Sequence, residues 1–253
     1  MNRILCLLLT AAMLLSMLSG CAEEKEDIPA EKAAEVMVPE TTAEKKSASA
    51  FEQAQSAYGD LCEAYELISQ LAFDLHNVWR VGAHEASKAN GNFVEYLAPK
   101  LEYLSREEFT AGVARAIAWD SDGKKWASLS DAEKKSYMEF ADTGFYIKSD
   151  YFQYFCISSV LNSYYLTGEI QQIRDLLKSA KEQLRELNEQ DPDYALYGTL
   201  KKFYISLDAY FELCYSDGDG GAGVSFNQFK ELRSAYIKEA QDYMGELGFE
   251  LDE

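Results

Sequence analysis

Residues 51–86 read FEQAQSAYGDLCEAYELISQLAFDLHNVWRVGAHEA, and their apolar spacing decides the fold. Phe51, Ala54, Tyr58, Leu61, Tyr65, Ile68, Ala72, Leu75, Trp79, Gly82 and Ala86 recur at alternating steps of three and four. That rhythm keeps one side of a helix apolar, and here it lasts for about five heptads. A helix of that length is on the order of 55 Å long at 1.5 Å per residue. Cys62, Leu67, Leu71, Phe73 and Val78 flank the seam and widen it toward the broad stripe of a bundle helix.

The rest of the chain repeats the pattern. Tyr137, Phe140, Gly144, Ile147, Tyr151, Tyr154, Ser158, Leu161 and Tyr165 predict one helix over 131–167, bent at Gly144. Ile170, Ile173, Leu177, Ala180, Leu184 and Leu187 mark another, and Tyr197, Leu200, Tyr204, Leu207, Phe211 and Cys214 the next. Phe226, Phe229, Tyr236, Ala240, Tyr243 and Leu247 outline the last, with Arg233 interrupting its stripe. Ser105 with Glu108, Ser130 with Glu133 and Ser225 with Gln228 each have the spacing of a capping box. Asp191 before Pro192 reads as a cap followed by proline at the first helical position. Gly91, Asn92 and Glu95 close the first helix and open a short one that Pro99 stops. No stretch alternates with period two for long enough to argue a strand. The expected fold is all-α, a bundle of about five long helices plus short ones, up-and-down or irregular in topology, forming one domain over 51–253.

Upstream of the bundle the sequence changes character. Arg3 precedes an apolar run, Ile4 to Leu18, broken by Thr10 and Ser16. Such a run suits a signal-peptide core and falls short of the ~20 residues that span a bilayer. It ends in Leu18-Ser19-Gly20-Cys21, which resembles the lipobox of bacterial lipoproteins. The resemblance implies removal of residues 1–20 and a diacylglycerol on Cys21. It also implies a domain held at the cell envelope, facing outside the cytoplasm. Residues 22–50 contain 8 acidic and 4 basic residues, two prolines and no aromatic residue, so residues 21–50 read as an anchor and acidic tether.

Composition removes one class of partner. Acidic residues outnumber basic ones 43 to 24, a formal charge of −19, and phosphate attraction requires clustered Lys and Arg. Nucleic acid is therefore not an expected partner.

The acidic loop from Asp217 to Gln228 resembles a degraded EF-hand. Asp217 and Asp219 fit its first and third positions, but Gly221 and Gln228 stand where calcium needs further oxygen ligands. Asp217 and Asp219 are thus weak metal candidates, and calcium is not an expected cofactor. Asp120-Ser121-Asp122-Gly123 is a second acidic turn. His76 and His84 lie eight residues apart on one helix, about 12 Å along its axis and too far to share a metal directly. Gly82-Ala83-His84 resembles part of the G-x-H-x-x-E motif of imelysin-like proteins, with Ser87 where the glutamate belongs. Cys62, Cys156 and Cys214 fall in helical stretches and read as small buried hydrophobes, with any pairing between them left open. No nucleophile elbow, phosphate-cradling glycine loop or paired zinc spacing occurs, and no catalytic residue is assigned.

The aromatic residues carry the functional expectation. Seventeen tyrosines are present, and two helices bear rings on every face. Rings in excess of what one packed face can hold leave some for a partner, and tyrosine suits wet interfaces and ligand grooves. The candidate surface is Tyr151, Tyr154, Phe155 and Tyr165 on one helix, with Tyr197, Tyr204 and Phe211 on the other. The expected function is non-enzymatic binding of an envelope protein or small ligand. An extracytoplasmic envelope or peptide hydrolase is the first alternative, and a weak calcium- or metal-responsive module the second. The long seams also allow a dimer.

Overall fold

A computed structural model of the chain describes residues 42–215 and 224–249. These residues form nine α-helices with two short 3-10 turns and no strand, so the fold is an all-α bundle. Residues 1–20, expected to be a signal peptide, Cys21, and the loop bearing Asp217 and Asp219 lie outside the described residues.

Helix α1 (Thr42–His84) is the spine, roughly 65 Å long at 1.5 Å per residue. It starts nine residues before the expected boundary at Phe51, and Ala50 is already buried. The seam residues Ala54, Tyr58, Leu61, Ile68, Ala72, Leu75 and Trp79 are all in the core. Short helices α2 (Ala86–Ala89) and α3 (Phe93–Leu97) follow, joined through Gly91 at φ 93°, and a 3-10 turn holds Pro99. Then come α4 (Arg106–Asp122), α5 (Asp131–Asp142), α6 (Ser149–Thr167), α7 (Glu169–Gln190), α8 (Tyr197–Cys214) and α9 (Phe226–Leu247).

Side-chain pairs give the directions of the helices along the spine. Ser49 bonds Gln190, Gln53 bonds Glu186 and Glu63 bonds Gln172, so α7 runs antiparallel to α1. Asp74 meets Tyr164, and Gly82 meets Gln153, so α6 runs the same way along the other half of α1. Helices α6 and α7 are thus two consecutive segments of one return path, broken at Gly168, whose φ of 89° suits glycine alone among common residues. Helix α8 runs parallel to the spine, with Tyr58 against Phe203, and α9 returns antiparallel, with Trp79 against Phe229 and Tyr58 against Phe249. Helices α4 and α5 form an outer layer, α4 packing on α6.

All three expected capping boxes form, at Ser105, Ser130 and Ser225. Two other expectations are corrected. Residues 131–167 are not one bent helix: α5 stops at Asp142, and residues 143–148 pair with the turn at Asn90. Asn90 donates to the Ile147 carbonyl and accepts from the Ile147 N–H, both at 2.8 Å, while the Gly91 N–H donates to Phe145 O at 3.1 Å. Gly144 sits so close to the Gly91 carbonyl that a Cβ there would collide with it. Pro192 is not at the start of a helix either. Asp191 closes α7, its carbonyl accepts from Tyr194 N–H in a turn, and α8 begins only at Tyr197. With α4 and the split at 143–148 included, six described helices have 17 residues or more, where the sequence pattern gives about five.

A buried carboxylate ties α6 and the segment before α4 to the spine. Asp74 has no exposed surface; it accepts from Glu102 N–H at 2.9 Å and from the Tyr164 hydroxyl at 3.0 Å. Burial pushes its carboxyl above the usual carboxylate value, and bonds from the backbone of Glu102, the Tyr164 hydroxyl and the backbone of Tyr103 and Leu104 oppose that shift.

Candidate functional site

Helix α6 divides its rings between two environments. Phe152, Phe155, Cys156, Val160 and Tyr164 are buried. Ser159 and Ser163 are buried too, their hydroxyls bonding back to Phe155 O and Ser159 O at 2.7 and 2.9 Å. These small residues let α4 approach closely, because Gly112 lies directly on Ser159 and Ser163 with no space for a Cβ. On the opposite face Tyr151 and Tyr165 remain 62% and 51% exposed, with Tyr154 between them in the sequence.

Those exposed rings belong to two clefts that share Tyr154. The first, about 570 Å3, lies between α6, α4 and the 3-10 turn after it. Tyr154, Ser158, Asn162 and Tyr165 come from α6, and Tyr215 from the end of α8. Arg115 and Trp119 come from α4, and Lys124, Lys125 and Trp126 from the following turn. Gly123, at φ 61°, makes this possible: its N–H returns to Trp119 O, and Lys124 N–H returns to Ala118 O. The left-handed cap folds Lys124–Trp126 back beside Trp119. The second cleft, about 680 Å3, is walled by Phe140, Phe145, Tyr146, Tyr151 and Phe155, with Lys148 as its cation. Both volumes fall within the roughly 300–1,000 Å3 of small-molecule sites.

The described lining of the first cleft carries three basic side chains, Arg115, Lys124 and Lys125. The Arg115 guanidinium stacks 3.8 Å from the Tyr165 ring centre, and burial lowers its pKa while Tyr165 holds it up. Its Nη1 is shut off from solvent with no acceptor. Lys124 reaches Glu133 at 3.8 Å, whereas Lys125 is exposed. None of the described lining residues is an Asp or Glu.

The expected surface is only partly assembled. Tyr151, Tyr154 and Tyr165 stand at the clefts. Phe155 and Phe211, at 7% and 4% exposure, are core residues and not surface residues, because each lies on the packed face of its helix; Phe155 shows only an edge to the second cleft. Tyr197 and Tyr204 are half-buried on α8 and line neither cleft. Arg115, Trp119, Lys125 and Trp126 escaped the sequence reading. Their signal was two tryptophans seven apart with a lysine pair between them, in a stretch read only as an acidic turn.

Other candidates resolve into packing. His76 stacks on Phe226 at 5.3 Å and His84 meets the same ring edge-on at 5.9 Å, so the histidines share a ring and not a metal. Burial, then Arg233, lowers the His76 pKa. Arg233 itself lies over Phe73 at 5.6 Å, which accommodates the charge in the α9 stripe. Cys62, Cys156 and Cys214 are buried and unpaired, and burial pushes all three thiols up, away from the reactive thiolate. Among the described residues no three His, Cys, Asp or Glu converge to hold a metal ion. No described helix is long and apolar enough to cross a membrane.

Compared with known proteins, the chain matches no family model, no curated protein and no solved structure. Its function must be argued from the site.

Proposed function

We propose that the protein is a bacterial lipoprotein, anchored outside the cytoplasm through diacylglycerol on Cys21, whose helical domain is a non-enzymatic binding module. The leader ending in Leu18-Ser19-Gly20-Cys21 supports the anchor. The observation that carries the binding role is the pair of ring-lined clefts meeting at Tyr154. Exposed aromatic side chains grouped in concave surface bind well because they bring large area at little entropic cost. Binding is centred on α6 and excludes Tyr197 and Tyr204, since α8 contributes only Tyr215 to the first cleft.

Two measurements test this reading. Labelled fatty acid should enter the full-length protein and be lost in Cys21→Ala. A thermal-shift screen of small acids, sugars and peptides against the soluble domain should give ligands whose effect disappears in Tyr154→Ala and persists in Tyr204→Ala. A screen in which no ligand depends on Tyr154 overturns the assignment of the groove, and labelling retained in Cys21→Ala overturns the anchor.

A further inference from the structure

We infer that the cleft between α4 and α6 takes an acidic saccharide, its carboxylates facing Arg115 and Lys125 and its sugar faces lying on Trp119 and Trp126. The inference rests on the reading of the Tyr154 groove as a binding site and adds the chemistry of the ligand.

Charge is the first argument. A chain of net charge −19 repels anions in general, so a concavity with three cations and no carboxylate among its described lining residues departs from the chain's average charge. Lys124 shares its charge with Glu133, leaving Arg115 and Lys125 as the principal attraction. The Arg115 guanidinium lies at the wall of the cleft against the Tyr165 ring, and a carboxylate arriving beside it gains a charge-assisted interaction. A neutral ligand gains no such interaction.

Ring geometry is the second argument. Trp119 is 56% exposed, an arrangement that costs contact with water unless a flat ligand face covers it. Both tryptophans and three tyrosines border the cleft, enough for successive rings of an oligomer. The cleft is also lined by polar side chains: Ser158, Asn162, Tyr154, Tyr165 and Tyr215 bring hydroxyl and amide donors and acceptors to it. An aromatic acid is better served by a closed apolar slot. A polyhydroxylated acid uses both the rings and the polar groups.

Two of the three tryptophans line this cleft and the third, Trp79, is buried in the bundle, so indole emission reads the site. The probes are trigalacturonate, maltotriose as its neutral counterpart, and benzoate as an aromatic acid. Trigalacturonate should shift emission saturably at up to millimolar concentration, weaken as salt rises, and bind at least about tenfold more tightly than maltotriose. Lys125→Gln, an exposed change that leaves folding intact, should weaken binding about three- to fivefold, the scale of an exposed ion pair. Arg115→Gln should weaken it further. Equal binding of maltotriose and trigalacturonate overturns the inference, as does a trigalacturonate affinity unchanged in both variants. If benzoate binds in a Tyr154-dependent way while trigalacturonate does not bind, the acidic saccharide is wrong and the groove stands. Ligand binding indifferent to Tyr154→Ala removes both.

Discussion

Helices α6 and α7 lie end to end along the same spine, yet they use their side chains in opposite ways. In α7 the six apolar positions from Ile170 to Leu187 are all buried, and the other face is charged or amide-bearing. Every apolar residue of that stripe is used for packing. In α6 one face holds Phe152, Phe155, Cys156, Val160 and Tyr164 in the core, while Tyr151, Tyr154 and Tyr165 face solvent. Those three rings lie outside the buried core, and Tyr165 carries the Arg115 guanidinium on its ring. The contrast separates residues that make the fold from residues the fold presents, and six substitutions at five positions test it, from the largest expected effect toward the smallest.

The largest effect is expected at Asp74, which holds the inner face of α6 through Tyr164. Asp74→Ala removes the acceptor from the Tyr164 hydroxyl and the Glu102 N–H and leaves both groups without their partner. Each buried donor left unsatisfied costs about 1–3 kcal/mol, and the combined loss is readable by urea denaturation. The milder Asp74→Asn tests the titration. Because burial raises the folded-state pKa above the ordinary 3.8, the folded protein binds this proton more tightly than the unfolded chain. Wild-type stability relative to Asp74→Asn should therefore be greatest at the acid end, fall as pH rises through the window above 3.8, and then level off. A difference that grows with pH would contradict desolvation as the dominant cause.

In α7 the expected test is Leu187→Ala. Leu187 is fully buried, so truncation leaves a cavity and costs about 2–5 kcal/mol. The ligand sites should be untouched, since neither cleft draws on α7. A loss of ligand affinity in a folded Leu187→Ala domain would show that the two helices are less independent than their packing indicates.

What could be read from the sequence follows the same division. The stripe of α7 and the seam of α1 are local properties, so period alone locates their buried faces. The break at 143–148 was hidden because Asn90 and Gly91, more than fifty residues earlier, take over the hydrogen bonds that a continuous helix would have made internally. The same holds at the site. Tyr151, Tyr154 and Tyr165 were visible because α6 has more rings than one face can bury. Phe155 and Phe211 were assigned to the surface because composition does not say which ring of a crowded helix turns inward. Arg115, Trp119, Lys125 and Trp126 converge only after Gly123 reverses the chain and Gly112 lets α4 settle onto α6.

That settling is itself testable. Gly112→Ala puts a methyl group against the Ser159 carbonyl and the Ser163 side chain, and neither helix backbone can yield without moving the whole element. Overpacking of this kind costs about 1–3 kcal/mol, measured as a shift in the urea midpoint. It should also spread the cleft between α4 and α6 and weaken ligands there, while the second cleft keeps more of its affinity. A Gly112→Ala domain as stable as wild type would mean that α4 packs more loosely than the Ser159–Ser163 contact implies.

The smallest expected effect is the most informative about function. Tyr151 is 62% exposed on the solvent side of α6, and it lines only the second cleft. Tyr151→Ala should change stability by no more than about 0.5 kcal/mol, because an exposed side chain leaves no cavity and strands no polar group. Tyr164→Phe, on the buried face of the same helix, should cost more, since it takes the hydroxyl bond from Asp74 while keeping the ring. Tyr151→Ala removes the larger group, yet it should cost less, because its ring is exposed whereas the Tyr164 hydroxyl is buried on Asp74. If Tyr151→Ala proves the more destabilising, its ring is part of the bundle's packing, and the case for α6 as a helix with a face reserved for ligand is lost.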